Sequence, residues 1–281
     1  MTPWGIYKPK RVPQGASDSP LHFQNCLMQI FQEPIRGDWL VLWIDDTVIH
    51  APTWDLFIVR LTTFLSICRK VQLQISIKKT NLVAAEVVFC GRQINGESCT
   101  LLPRNIEAFR LMLEPTKAGQ LSQFLMGVNW MRECLTPLGP NIKPADNSFA
   151  ALSRPLWNIL DECYGLANSR KKRKYQNILL VDVGWGEPHK FAFKAIKDKL
   201  DALIRKAYPK RGARFCLHTD ASDDHYALML TQVVNWIEGL PVHEQEHEPL
   251  AVKSGSFRDS ECRWRICEKE AYPIILSITE W

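Results

Sequence analysis

A chain of 281 residues with 46% hydrophobic and 23% charged residues has the composition of globular protein, and it is long enough for two domains. No run of about 18 apolar residues occurs, and Met1-Thr2-Pro3-Trp4 lacks a basic region leading into an apolar one, so no membrane span and no secretory signal are expected. The net charge of +5 is uneven: residues 151–211 carry 14 Lys and Arg against 6 Asp and Glu, and residues 212–281 carry 6 against 12, a basic middle that suits a polyanion and an acidic end that suits divalent cations.

Residues 1–16 are punctuated by proline and glycine and read as turns. Ser19-Pro20 opens a helix, with serine as cap and proline at the first helical position; it is expected to run to about Gln32 and stop before Pro34. Residues 38–43 and 47–50 read as two strands of a hairpin with Ile44-Asp45-Asp46 at its tip. Thr53 caps the clearest helix, where Trp54, Phe57, Ile58, Leu61, Phe64, Leu65 and Cys68 recur at three- and four-residue spacing as a core face. Val71, Leu73, Ile75 and Ile77 alternate with polar residues, which predicts a half-buried strand, and another strand is expected at 86–94.

From 104 to 135 the pattern is helical, divided at Pro115, with Leu121, Phe124, Leu125, Val128, Met131 and Leu135 as one stripe. Trp130 reads either as a base-stacking residue or as core. Residues 136–211 read as a looser connector. Its run Arg170-Lys171-Lys172-Arg173-Lys174 is a nuclear signal or phosphate contact on one reading and a solvated loop on the other. Strands are expected at 214–219, ending in Asp220, at 226–234 and at 250–257. A helix from Asp259 or Ser260 then docks through Ile266, Ala271, Ile274, Ile275 and Ile278. Helices and hairpins segregated in this way indicate the α+β class. Nine cysteines without a CxxC pair give no sign of a disulfide framework and fit a reducing compartment, cytoplasm or nucleus.

Adjacent carboxylates at a hairpin tip repel one another unless a cation intervenes, although Asp45-Asp46 alone reads more simply as a polar turn. Its surroundings point further. Val12-Pro13-Gln14-Gly15, a helix with Phe23-Gln24, and Leu42-Trp43-Ile44-Asp45-Asp46 together resemble the reverse transcriptases of gypsy-like LTR retrotransposons, with Trp43 where many members have tyrosine. Lys79 matches that family's palm lysine, Phe89-Cys90-Gly91 its primer-grip turn, and residues 120–132 the helix after the palm. Leu217-His218-Thr219-Asp220-Ala221-Ser222, residues 254–257 and Glu268-Lys269-Glu270 resemble the family's ribonuclease H.

The resemblance implies a partial palm over 1–100, without fingers or first catalytic strand, a thumb-like helical segment over 101–140, a basic connection over 141–211, and a partial ribonuclease H-like domain of mixed sheet plus helix over 212–281. Asp45, Asp46, Asp220 and Glu270 would be catalytic ligands of Mg2+ or Mn2+. Gln14 and Gly15 would shape the nascent base pair, Lys79 would lie near the triphosphate, and Phe89 and Gly91 would contact substrate. The implied partners are an RNA/DNA template-primer, deoxynucleotides and a complementing N-terminal fragment. The family's third palm carboxylate lies upstream of Pro13-Gln14-Gly15, and its Thr-Asp-His strand lies beyond Trp281. Each metal site is therefore expected to keep about half its ligands, and this chain alone to lack activity. Two alternatives stand beside this one: a non-catalytic nucleic-acid-binding remnant, and a zinc peptidase using His243 and His247 of His243-Glu244-Gln245-Glu246-His247, a pattern that requires a helix.

Overall fold

Helix α1 (Ser19–Ile30) starts where a proline fits the first helical turn without losing a hydrogen bond. The computed structural model describes residues 5, 11–13, 15–135 and 147–281, in two units, 1–90 and 91–281; Gln14 lies outside the described residues. Ser19 proves to be the first helical residue and not the cap. Its hydroxyl donates to the Pro13 carbonyl at 2.7 Å and ties the preceding turn to the helix. The chain breaks at Phe31 and resumes as α2 (Gln32–Arg36), so Pro34 does not stop it. Near a helix start the missing N–H costs nothing.

Strands β1 (Leu40–Trp43) and β2 (Asp46–Ile49) pair antiparallel, Leu40 opposite Ile49 and Trp43 opposite Asp46. The tip is thus Ile44-Asp45, and Asp46 already belongs to β2. Helix α3 (Trp54–Val71) is capped as expected, the Thr53 hydroxyl accepting from the Leu56 N–H at 3.4 Å. Its Phe64 and Cys68 pack with Leu27, Phe31 and Leu40, and the Phe31 and Phe64 rings stack at 5.1 Å. Trp54, Ile58 and Leu65, expected in the core, are exposed, because only the Phe64–Cys68 side of α3 meets this cluster. The strand expected over 71–77 does not form. Val71 ends α3, Gln72 closes it at φ +57, and Ile77–Lys79 make a 3-10 turn with Ile75 and Ile77 exposed. Alternation makes a strand only where a sheet edge and an apolar surface receive it. Strand β3 (Glu86–Phe89) follows.

In the second unit β4 (Arg92–Asn95) pairs with β5 (Ser98–Leu101), and β6 (Lys206–Ala207) joins the other side of β5. Helices α4 (Pro103–Arg110) and α5 (Ala118–Met131) come next, and the whole stripe from Leu121 to Leu135 is buried. The Gly119 N–H donates to the Gln176 carbonyl at 3.1 Å. A Cβ on Gly119 would lie 2.9 Å from the Gln176 Cβ, so this approach admits only glycine.

From Phe149 onward the looser connector is instead packed structure; residues 136–146 lie outside the described residues. Helices α6 (Phe149–Leu166), α7 (Lys172–Tyr175) and α8 (Glu187–Lys199) share one core with α5, to which they add Leu156, Leu160, Tyr175, Phe193 and Ile196. The basic run is therefore not a free loop. Tyr175, buried and hydrogen-bonded to Ser122 at 2.9 Å, pins α7 and leaves Lys171 to Lys174 exposed.

Strands β7 (Arg214–Ala221), β8 (His225–Val233) and β9 (Glu248–Ser256) form an antiparallel sheet with β8 in the centre. Helix α6 packs on β9, and α9 (Ile266–Glu280) packs on β7 and β8. Helix α9 does not start at Asp259 or Ser260: Asp259 has φ +45, and a 3-10 turn at Glu261–Arg263 intervenes. Nor does it dock through its isoleucines, since Ile266, Ile274, Ile275 and Ile278 are exposed. Lys269, Pro273 and Ser277 are buried instead, because Tyr272 enters a cluster with Tyr226, Phe257 and Trp264 and fixes the rotation of the helix. Among the described residues no helix is long and apolar enough to cross a membrane.

Candidate functional site

The hairpin tip is held from α1. The Gln24 side chain accepts from the Ile44 N–H at 2.6 Å and donates to the Leu42 carbonyl at 3.3 Å, one residue clasping both sides of the turn. A two-residue hairpin needs positive φ at the tip, and Ile44 supplies it at φ +51, a conformation a β-branched residue adopts only under constraint. Asp45 and Asp46 are both exposed there. Burial pushes the Cys90 thiol up, and the Asp46 charge adds to it, so Cys90 and the hairpin lie within electrostatic reach of one another. Gly15 stands at φ +91 in open space, and Lys79 is exposed on the 77–79 turn. Phe89 is half-buried. Gly91 has φ +74 and the Trp130 ring 3.1 Å from where a Cβ would be, so it admits no side chain. Trp130 is neither plain core nor free: it is 40% exposed, with the Arg92 guanidinium over its ring at 5.3 Å.

The second constellation lies in the sheet unit. Asp220, near the end of β7, and Glu270, on α9, line one cleft of about 750 Å³, together with Asp223 and Asp224 of the β7–β8 turn and Ala151 of α6. Asp223 and Asp224 have cationic partners. Asp224 pairs with Arg154 at 3.2 Å, and Asp223 lies 3.7 Å from the Lys269 ammonium. Lys269 stands between two glutamates in the sequence, a setting that suits a solvated charge, yet it is buried, donates to the Asp223 carbonyl at 2.8 Å and lies over the Phe257 ring at 5.8 Å. The spacing Lys269–Pro273–Ser277 was the available signal, masked by the stronger isoleucine pattern. Carboxylate oxygens of this kind suit hard divalent cations. Among the described residues no three His, Cys, Asp or Glu side chains converge as ligands of one ion.

The pattern from His243 to His247 carries no zinc site of the peptidase kind. Val242–Glu244 is a 3-10 turn in a loop, so the two histidines do not share a helix face. The His247 Nδ1 meets the Thr231 hydroxyl at 2.8 Å and its Nε2 the Val242 carbonyl at 2.6 Å. The His218 Nε2 meets the same hydroxyl at 3.2 Å. Burial, and then His247, hold the His218 imidazole below its ordinary value near 6.5. The folded state thus favours neutral His218, while the unfolded chain takes up the proton. The contribution is whole above about pH 6.5 and is lost as pH falls through the folded value. Melting temperatures should drop between pH 7 and 5 by more in the parent than in His218→Gln; equal drops would rule this residue out as a source.

Two family models match this chain: "Reverse transcriptase (RNA-dependent DNA polymerase)" over residues 2–94 and "RNase H-like domain found in reverse transcriptase" over residues 185–281. The chain is 24% identical over 277 residues to a retrovirus-related Pol polyprotein from transposon opus of Drosophila melanogaster, covering 98% of this chain and 25% of that protein. It is 22% identical over 279 residues to the transposon Tf2-3 polyprotein of Schizosaccharomyces pombe, covering 99% and 18%. It thus spans a quarter or less of these relatives. The fold is similar to foamy viral protease-reverse transcriptase in complex with dsDNA, with TM-score 0.64 and 18% identity over 96% of this chain and 48% of that one. The same viral protein in complex with RNA/DNA hybrid gives 0.65 and 17%, over 96% and 31%.

Proposed function

We propose that this chain, matched over residues 2–94 and 185–281 by reverse transcriptase and RNase H-like family models, is a segment of the retrotransposon polyprotein kind, and that its two carboxylate pairs serve metal-dependent phosphodiester chemistry on an RNA/DNA duplex. One observation carries this best: Asp220 and Glu270, fifty residues apart in sequence, line the same cleft. Bound Mg2+ or Mn2+ would supply activation of the attacking oxygen and stabilisation of the leaving one. The chain's own part is to hold and orient. Asp45 and Asp46 present oxygens from a tip braced by Gln24, and Asp220 and Glu270 present them from a strand and a helix, the helix tied to the β7–β8 turn through Lys269. In the polymerase half, Gln14 and Gly15 would border the nascent pair, Lys79 the triphosphate of a deoxynucleotide, and Phe89 and Gly91 the primer end. Helices α5, α6 and α8, sharing one core, would act as a single duplex-binding body and not as separate thumb and connection.

A second reading, binding without chemistry, is favoured by the pairing of Asp223 with Lys269 and of Asp224 with Arg154, which takes two of the cleft's four carboxylates away from a cation. A complementing N-terminal fragment bearing a further carboxylate would reverse it.

Binding to a labelled RNA/DNA hybrid tests the duplex contact that both readings share. Affinity should fall steeply from 50 to 200 mM salt. Replacing Lys171, Lys172, Arg173 and Lys174 by alanine should flatten the log–log slope by about 3 to 4, near 0.9 for each phosphate that is no longer neutralised. Binding that ignores salt, or an unchanged slope in the quadruple variant, would remove α7 from the duplex interface.

A further inference from the structure

The acidic cleft does not close at α6. A second groove of about 450 Å³ continues from it along that helix, sharing Ala151, Asp224 and His225 and lined onward by Arg154, Asn158 and His189. Where the two meet, the Arg154 guanidinium holds the Asp224 carboxylate at 3.2 Å, with side chains 41% and 55% exposed. An ion pair this wet is worth little, so an anionic ligand can exchange with it at small cost. A guanidinium fork also matches two phosphate oxygens as well as it matches a carboxylate. Next to Arg154, Pro155 stands inside α6 and has no N–H to give the Ala151 carbonyl four residues earlier. Glu162 on the same wall and Asp224 itself repel phosphate, which leaves Arg154 as the point where a phosphodiester can settle.

We propose that this groove takes the sugar–phosphate backbone of the nucleic-acid strand running through the acidic cleft, with Arg154 as its phosphate contact. Asp224 occupies Arg154 in the free chain and is displaced when the strand arrives. Helix α6 is then one wall of the nuclease site and not only a member of the helical core. This rests on the nuclease reading of Asp220 and Glu270.

The two partners make opposite predictions, which a structural ion pair would not. With the whole 281-residue chain, a fluorescein-labelled RNA/DNA hybrid and EDTA present, Arg154→Ala should weaken binding about 5- to 10-fold and lower the salt slope by about 1. Arg154→Lys should restore the slope. Asp224→Asn, which frees the guanidinium and removes a repelling charge, should tighten binding about 2- to 5-fold. Should Arg154→Ala lose thermal stability, the double variant Arg154→Gln/Asp224→Asn decides: the tightening from Asp224→Asn should be lost without the guanidinium, whereas a general loss of negative charge would keep it. Both variants unchanged within twofold, or both weakened together, would overturn the proposal while leaving the duplex-binding reading intact. A parent chain that fails to bind the hybrid would sink that reading and the groove with it.

Discussion

Phe124→Ala is expected to cost the second unit about 3–5 kcal/mol, lowering its melting temperature by roughly 10 °C. Phe124 is fully buried on α5, its ring 4.5 Å from that of Phe193 on α8 and 6.4 Å from that of Phe109 on α4. Alanine there loses the transfer energy of a phenyl ring and leaves a cavity that three helices border and cannot easily fill. The sharper comparison is Phe193→Ala. Phe193 belongs to the stretch that sequence pattern assigns to a loose connector, where truncation would cost less than about 0.5 kcal/mol. Packed in the same core, it should cost nearly what Phe124 does. The two rings touch, so the double variant should fall short of the sum. Urea unfolding followed by tryptophan fluorescence measures all three. A Phe193→Ala midpoint close to the parent's would detach α8 from this core.

Asp220→Asn and Glu270→Gln should each weaken Mn2+ binding at least about tenfold, the loss seen even when only an outer partner of a metal ligand is removed. Their double variant should be little worse than either alone, because both carboxylates line one cleft and, on the proposed reading, would serve the same ion. Asp45→Asn should add its own independent loss, since it removes oxygen from the hairpin and not from that cleft. Electron paramagnetic resonance titration of free Mn2+ resolves these cases. Additive losses for Asp220 and Glu270 would mean two unrelated weak sites and would end the case for a nuclease centre. Hybrid binding that persists while no variant alters Mn2+ uptake would favour the remnant that binds without chemistry.

How much of this was legible beforehand varied with how local the cause is. The buried stripe from Leu121 to Leu135, the Thr53 cap and the hairpin around Asp45-Asp46 all follow from spacing along a few turns or one register, and each formed. The same local signals misled where a partner surface was missing. Residues 71–77 alternate correctly but meet no sheet edge, and the isoleucines of α9 line up correctly but face outward. Of the residues that brace or border the two carboxylate centres, Gln24 and Arg154 carried no periodic signal and Lys269 only its spacing with Pro273 and Ser277. Gln24 acts on a turn 20 residues away, Lys269 on a carbonyl 46 residues away, and Arg154 on Asp224 across the boundary between helices and sheet.

By itself, then, the sequence determined which segments are amphipathic, where the carboxylates stand on their elements, and the family resemblance that order and spacing carry. Tertiary structure alone decided which face of α9 is buried, that the helices over residues 149–200 share one core, and that α6 walls the acidic cleft. Periodicity reports only that a face is apolar. Which surface it meets is settled by competition among all the faces for burial, and in α9 one tyrosine entering an aromatic cluster outweighed four isoleucines.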